Sequence, residues 1–372
     1  MVSQRKVLVG MSGGVDSSVA AYLLKAQGFE VIGVTMKVWP QDCISRAEDK
    51  CCGPQAVADA RGVAHALGIP HYVVDEADAF EKTVIDYFAS EYRLGRTPNP
   101  CVMCNEKLKF GNLLEKATRL GADYIATGHY AQIVQEKERF LLKKGVDERK
   151  DQSYFLFSLN QEQLSRSLMP LGDKTKTEIR VIAQKLGLKV YDKEDSQEIC
   201  FVPGNDYTAF LKSHLGKESF QKGGIYDLEG NYLGEHEGIE FFTVGQRKGL
   251  GGGNKGPRYV VDIDAKQQRV IVGSAEDLLK ESFMIDRCSW NFSGEIPLSF
   301  EVKIKVRHQN TSFAATIFPQ SNGRALVRLH EAQRAITPGQ AAVCYSEERV
   351  IGGGWIERDA AAIESKILTT VA

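Results

Sequence analysis

Through about residue 130, short apolar runs alternate with stretches of helical spacing. Val7, Leu8 and Val9 form a buried run that predicts a strand ending at Gly10, and residues 19–24 (VAAYLL) open a helix. Residues 31–36 (VIGVTM) predict a second strand, 54–67 a helix stopped at Gly68, and 71–75 (HYVVD) a third strand. Helices are predicted over 79–92 and 108–120, and 124–127 (YIAT) is another buried strand with Gly128 and His129 just past its end. This order predicts an α/β unit, a parallel sheet with helices on both faces. Ligands of such sheets gather at the carboxyl ends of the strands, so residues 12–18 and 128–129 are expected on one rim.

From about residue 205 the pattern changes. Gly-Gly turns and the short runs 224–228, 241–244, 258–262 and 269–273 predict a small β-rich unit. Beyond about 281 the period-two alternation is strongest, in 300–306 (FEVKIKV), 312–318 (SFAATIF), 324–329 (RALVRL), 341–345 (AAVCY) and 350–351. Five such strands with polar or Gly/Pro-containing connections predict a small barrel. The expected domains are 1–203, catalytic; 204–280, central and β-rich; and 281–372, a C-terminal β-barrel.

Composition narrows the class. The chain has 372 residues, 43% hydrophobic and 26% charged, as in an ordinary globular protein. The first apolar run is only three residues long and no stretch approaches the roughly 20 apolar residues of a membrane span, so a cytoplasmic protein without a membrane partner is expected. The net charge of −1 leaves nucleic-acid binding to local patches, and residues 143–185 carry nine Lys/Arg against six Asp/Glu, a balance a solvated face explains equally well. Eight cysteines in a long chain of this kind point to metal binding, catalysis or burial rather than a disulfide framework.

The segment VLVGMSGGVDSS, residues 7–18, carries the first chemistry. Adjacent Gly13 and Gly14 let backbone N–H groups turn toward one point, a helix N-terminus adds partial positive charge, and Ser12, Ser17 and Ser18 supply hydroxyls. That arrangement suits a pyrophosphate. The lysine-bearing G-x-x-x-x-G-K-[ST] loop does not occur. Asp16 reads either as a helix-start carboxylate or as a group that orients Mg²⁺ on the phosphates. The spelling S-G-G-V-D-S-S resembles the PP-loop of ATP pyrophosphatases, which cleave ATP to AMP and pyrophosphate to activate a carbonyl.

A second segment, RTPNPCVMCN, places Cys101 and Cys104 in an extended loop just before a helix led by Glu106 and Lys107. Thiols at a helix N-terminus have lowered pKa and greater nucleophilicity. A lone C-x-x-C is equally half of a zinc site, and no second pair at ribbon spacing is present. Cys200, between Ile199 and Phe201, reads by itself as a buried small hydrophobe. Cys43, Cys51 and Cys52 carry no motif.

Taken together, S-G-G-V-D-S-S, T-P-N-P-x-x-x-C-N, A-T-G-H-Y, K-D-Q-S-Y-F-L, I-C-F and T-V-G-Q-R-K-G-L occur in that order along essentially the whole chain. The chain resembles the bacterial and organellar tRNA 2-thiouridylases, which thiolate the wobble uridine (position 34) of tRNAs for Lys, Glu and Gln. The resemblance implies a Rossmann-like PP-loop domain of the adenine nucleotide α-hydrolase type, ATP with Mg²⁺, a tRNA substrate, a persulfide donor or carrier protein, a monomer and a disulfide. It implies ATP binding at Gly10, Met11, Ser12, Gly13, Gly14, Val15, Asp16, Ser17, Met36 and Gly128. Cys104 matches the first catalytic cysteine and Cys200 the one carrying the persulfide. Asn99, Pro100 and Cys101 would lie against the target base, and His129, Lys150, Asp151, Gln152, Arg307, His308 and Gln340 against tRNA. Uridine O2 is a poor leaving group, so adenylation suits it, and a cysteine is a soft nucleophile suited to sulfur transfer.

Cys101 departs from the resemblance, since many members carry Asp there. With Cys104 and Cys200 it makes three thiols that could ligate a 4Fe–4S cluster with one open iron, a rival for the sulfur step. Two other function classes compete. A PP-loop ligase that adenylates a carboxylate would need no paired cysteines. An RNA-binding protein without catalysis, keeping C-x-x-C for zinc, would not consume ATP on meeting tRNA. A 4-thiouridine-type enzyme places an RNA-binding domain before its loop, whereas here the loop starts at Ser12.

Overall fold

The structure, a computed structural model, describes residues 4–38, 53–193, 199–250, 256–292 and 294–358. Cys43, Cys51 and Cys52 lie outside the described residues, as do residues 194–198 before Cys200. The chain divides into two compact units, one of residues 1–85, 100–205 and 348–350, the other of residues 86–99, 206–347 and 351–372.

The first unit is built on five parallel strands, β1 (Lys6–Gly10), β2 (Glu30–Lys37), β3 (His71–Asp75), β4 (Tyr124–Ala126) and β7 (Ser167–Leu168), in the order β3-β2-β1-β4-β7. Leu8 of β1 lies beside Ile32 and Ile125, so the central strand is flanked by apolar neighbours and its run is continuous rather than alternating. The helix Val15–Ala26 buries Val15, Val19, Ala20 and Leu24, and the core continues through Val7, Val9 and Met11 to Ile179 and Ala183. The helix Pro54–Leu67 has proline in its first turn and ends at Gly68, whose φ of 61° is the left-handed cap that glycine tolerates best. Because the strands are parallel, the ends of β1, β2 and β4 share one rim, with Gly10 beside Val34 and Val9 beside Ala126. A hairpin, β5 (Ala131–Glu136) with β6 (Arg139–Lys144), completes the strands of this unit.

The second unit contains a four-stranded sheet and a barrel. The sheet runs β10 (Tyr259–Asp264), β11 (Arg269–Gly273), β8 (Gly223–Asp227), β9 (Tyr232–His236). The expected strand over 241–244 is not one. A tight helical turn Ile239–Phe241 stands there, and Thr243 N–H donates to the Gln246 side chain (3.0 Å), so the backbone turns instead of joining a ladder. The barrel has six strands, one more than expected: β12 (Leu279–Trp290), β13 (Phe300–Lys305), β14 (Phe313–Pro319), β15 (Ala325–Arg334), β16 (Ala341–Ser346) and β17 (Arg349–Ile356), closed by pairing of β12 with β17. Phe283, Ile285, Ile304, Ile317, Val327 and Cys344 fill its interior.

The helix expected over 79–92 is three consecutive pieces, Ala77–Phe80, Glu81–Ile85 and Asp86–Arg93. Its last piece belongs to the second unit, where Phe88 meets Phe210 edge-on (6.0 Å) and Tyr92 stacks on Tyr207 (4.7 Å). The helix expected over 108–120 begins earlier. Pro100–Met103 is already a helical turn, and a wide π-type stretch, Cys104–Asn112, leads into Leu113–Arg119. Pro100 takes the first helical position, where its missing N–H and fixed φ cost nothing, so Cys101 and Cys104 lie within the helical segment and not in a loop before it.

Candidate functional site

The loop after β1 is shaped by backbone requirements. Met11 N–H donates to the Val34 carbonyl (2.7 Å) and Ser12 N–H to Ser17 Oγ (3.2 Å). Gly13 has φ of +71°, and a Cβ built on it would stand 2.3 Å from the Ala56 carbonyl oxygen. Gly14 is the N-cap of Val15–Ala26, extended at φ −96°, with no side chain capping the first turn. A twelve-residue helix whose first-turn amides carry no side-chain cap presents partial positive charge to an anion.

The hydroxyls do not all face that anion position. Ser17 Oγ and Ser18 Oγ both donate to the Gly14 carbonyl (3.1 and 2.8 Å), and both residues are buried. First-turn serines commonly bond back to the carbonyl three or four residues earlier, and with Ser12 Oγ itself 3.3 Å from Ser17 Oγ the anion position is left chiefly to backbone amides. Gly128 lies directly on the loop: a Cβ there would be 2.7 Å from Ser17 N. Met36, near the end of β2, is half-buried in register with Val74. Thr35 Oγ1 donates to the Met11 carbonyl (2.7 Å) and pairs with His71 Nε2 (2.9 Å), tying β1, β2 and β3 together beneath the rim.

Asp16 accepts three hydrogen bonds at its carboxylate, from two partners. Lys176 Nζ bonds both oxygens (2.7 and 2.8 Å), and the Tyr130 hydroxyl donates to Oδ1 (2.6 Å). A carboxylate so engaged does not fit the expected Mg²⁺-orienting role in this state. A second lysine, Lys193, donates to the Gly13 carbonyl (3.3 Å) and to Asp59 (2.7 Å). Burial raises the Asp59 pKa, but hydrogen bonds from Lys193 and Gln55 outweigh it and hold the carboxyl below its ordinary range. Sequence reasoning missed Lys176, Lys193 and Tyr130. Only Tyr130 lay inside a quoted motif, A-T-G-H-Y.

His129 is 7% exposed, shares a 2.7 Å hydrogen bond with Thr127 Oγ1 and packs on Phe110. Burial, with Lys109 adding repulsion, drives its pKa well below the ordinary value, so the ring is neutral. His71 is shifted the same way by burial and then by Arg61. A histidine with a lowered folded-state pKa favours folding above the unfolded value of about 6.5 and loses that contribution as pH falls below it. The thermal midpoint of the protein is therefore expected to drop between pH 7 and pH 5. The drop should be smaller in His129→Asn, and an identical pH profile for that variant would remove His129 from the account.

The K-D-Q segment is tied into the first unit. Asp151 is buried and accepts from Gly145 N–H, Ser153 N–H and Ser153 Oγ (3.1, 3.1 and 2.9 Å), while Lys150 is half-buried. Gln152 grips the Tyr130 backbone both ways, its Oε1 accepting at 3.0 Å and its N–H donating at 2.9 Å. Asn105 Nδ2 donates to the Phe155 carbonyl (3.3 Å), joining the cysteine-bearing helical segment to the turn that follows K-D-Q.

Cys101, Cys104 and Cys200 are half-buried thiols of the first unit, none in a disulfide. Phe201 and Val202 beside Cys200 are buried, and Phe201 meets Phe80 edge-on (5.7 Å), so Cys200 itself is not the fully buried hydrophobe its neighbours suggest. Among the described residues no group of three or more His, Cys, Asp or Glu side chains is placed to hold a metal ion. As placed here, the three thiols therefore do not form the ligand set a 4Fe–4S cluster needs.

In the second unit, Gln340 Nε2 donates to the carbonyls of Thr97 and Pro98 (3.0 and 2.8 Å), and Thr97 N–H donates to Pro338 (2.8 Å). These bonds fix the irregular segment that ends at Asn99, itself buried. The Arg307 guanidinium bonds the Ala335 carbonyl (3.1 Å) and Thr337 Oγ1 (2.6 Å), and His308 is half-buried beside it.

Comparison with known proteins fits this arrangement of a nucleotide-type loop followed by β-rich parts. Residues 5–204 match a family described as the tRNA methyl transferase HUP domain. Residues 208–274 match the tRNA methyl transferase PRC-barrel domain and 280–356 the aminomethyltransferase beta-barrel domain. A tRNA-specific 2-thiouridylase MnmA 2 of Clostridium botulinum is 49% identical over 356 residues, covering 95% of this chain and 100% of the relative. A tRNA-specific 2-thiouridylase MnmA 1 of Caldanaerobacter subterraneus is 50% identical over 363 residues, covering 96% and 99%. The tRNA-specific 2-thiouridylase MnmA of Clostridium acetobutylicum is 47% identical over 354 residues, covering 95% and 99%. With relatives of this identity spanning nearly its whole length, the chain belongs to the tRNA-specific 2-thiouridylase family.

Proposed function

We propose that this protein converts the wobble uridine of tRNAs for Lys, Glu and Gln to 2-thiouridine, at the expense of ATP cleaved to AMP and pyrophosphate. The observation that carries the reading is one compact unit holding both an anion-binding loop at a helix N-terminus and the half-buried thiols Cys104 and Cys200. Amides of the loop around Gly13 and Gly14 take phosphate oxygens. Mg²⁺ bound to the ATP would add charge neutralisation there. Uridine O2 attacks the α-phosphorus, the bond to the β-phosphate breaks, and pyrophosphate leaves with loss of the N3 proton. The terminal sulfur of a Cys200 persulfide then adds at C2 and AMP departs. The Cys104 thiolate attacks the Cys200 sulfur of the C2–S–S link, leaving 2-thiouridine and a Cys104–Cys200 disulfide that an external thiol must reduce.

The family descriptions speak of methyl transfer, whose sulfonium donor needs neither a pyrophosphate loop nor a thiol pair. The loop and the cysteines favour thiolation. The reading carries with it a persulfide donor or carrier protein and a cytoplasmic monomer, with Asn99, Pro100 and Cys101 against the base and Gln340 acting through the segment that ends at Asn99. Doubly labelled ATP tests the activation step: AMP and pyrophosphate should form in equal amounts and only with tRNA present. ADP and phosphate as products would contradict it.

A further inference from the structure

Lys176 stands in a place that a surface lysine does not occupy. It is the first residue of the helix Lys176–Lys185, which Thr175 and Glu178 close with a reciprocal capping box, and its own N–H donates to Asp147 (2.9 Å). Its side chain is 10% exposed and reaches both oxygens of Asp16, a residue 160 positions earlier in the chain. Asp16 lies in the first turn of Val15–Ala26, where the helix already presents partial positive charge. An ammonium at that end is electrostatically misplaced unless an anion holds it. Taking this pair out of water costs solvation that its mutual attraction need not repay. Lys193 adds a second ammonium at Gly13, in a loop that contains no lysine of its own.

Lys176 and Lys193, held by Asp16 and Asp59, bring two ammonium groups to this helix N-terminus, where a polyphosphate could draw them from their carboxylates. We propose that Lys176 is a phosphate-binding residue of the ATP site, held on Asp16 until nucleotide arrives and then passing its ammonium to a phosphate oxygen. Tyr130 keeps Asp16 in place for the exchange, its hydroxyl on Oδ1 (2.6 Å) and its backbone gripped by Gln152. No bond other than hydrogen bonds changes, and Asp16 keeps the Tyr130 donor when the lysine leaves. This inference rests on the ATP-cleaving reading of the loop and adds a side-chain cation to it.

The test is equilibrium binding of ATP, inorganic pyrophosphate and adenosine to the full chain. Lys176→Gln should weaken ATP and pyrophosphate by about 10- to 100-fold, the range of a lost charge-assisted bond, with adenosine unchanged. Lys176→Gln also leaves Asp16 without its cation, so the double variant Asp16→Asn, Lys176→Gln separates folding from binding. It should recover the thermal midpoint yet still bind pyrophosphate weakly. Removing a carboxylate from an anion site would by itself strengthen pyrophosphate binding, so a persistent loss belongs to the lysine. Wild-type affinity for pyrophosphate in the double variant, or an equal loss of adenosine and ATP in the single one, would overturn the assignment. Wild-type protein that binds no ATP would instead overturn the reading of the loop, and the assignment with it.

Discussion

Cys200→Ser protein is expected to release pyrophosphate from ATP when tRNA is present, yet to form no measurable 2-thiouridine. The hydroxyl cannot carry a persulfide, so the loss belongs to sulfur transfer and not to activation, and a fall of at least about 10³-fold is expected for removal of a nucleophile. Cys104→Ser should show the same separation, with the modified tRNA retained on Cys200 through the unresolved disulfide link. The barrel cysteines give the contrast. Cys344 is fully buried among Ile304, Ile317 and Val327, and burial pushes its thiol pKa far up. Burial, with Asp286 adding to it, raises Cys288 to about 12. Neither supplies a thiolate at neutral pH. Cys344→Ser should cost stability, about 1–3 kcal/mol for an unpaired buried hydroxyl, and leave the chemistry intact. Nucleoside analysis beside a pyrophosphate assay measures both halves, and thiolation by Cys200→Ser within tenfold of wild type would refute the role given to that thiol.

Gly13→Ala should be the most damaging single methyl in the loop. The left-handed φ of +71° costs an alanine about 1–2 kcal/mol, and its Cβ would meet the Ala56 carbonyl oxygen at 2.3 Å and the Ala56 carbon at 2.9 Å. Backbone cannot yield as a side-chain end does, so overpacking adds about 1–3 kcal/mol. Loss of ATP binding should accompany the loss of stability, because the displaced loop carries the anion-facing amides. Gly14→Ala is the control: its backbone is extended and its Cβ would meet only Ser12 Oγ, at 3.5 Å. Thermal melts of the two variants decide the point, and equal midpoints would mean that the loop tolerates what this geometry forbids.

Much of the parallel sheet could be read in advance because a strand buried on both faces shows as an unbroken apolar run, as in Val7, Leu8 and Val9. The barrel strands β13 to β15 showed because one face is wetter and the period is two, while β16 is buried on both faces and showed as an apolar run. β12 did not: its register shifts between Asp286 and Ser289, and Arg287 has φ of 47°, so the alternation breaks in mid-strand. The β5–β6 hairpin hid for a related reason. Its left-handed turn residue is Lys137 rather than glycine or asparagine, and no turn signal separates the strands. The helix predicted over 79–92 ran together because helical spacing is blind to which unit a segment packs in.

The site divided along the same line. Gly13, Gly14 and Gly128 were legible because glycine reports a backbone need locally, and the close approaches at Gly13 and Gly128 are that need. The serine hydroxyls were assigned by type, and Ser17 and Ser18 proved to serve the helix turn. Lys176 carried no signal, since its partner Asp16 is distant in sequence and only the fold joins them.

The most direct measurement of the central claim is mass analysis of nucleosides from an unmodified tRNA for Lys, Glu or Gln incubated with this protein, ATP, Mg²⁺ and a persulfide donor. The account predicts 2-thiouridine at the wobble position, with one AMP and one pyrophosphate formed for each sulfur gained. An unchanged wobble uridine while ATP is consumed would contradict it.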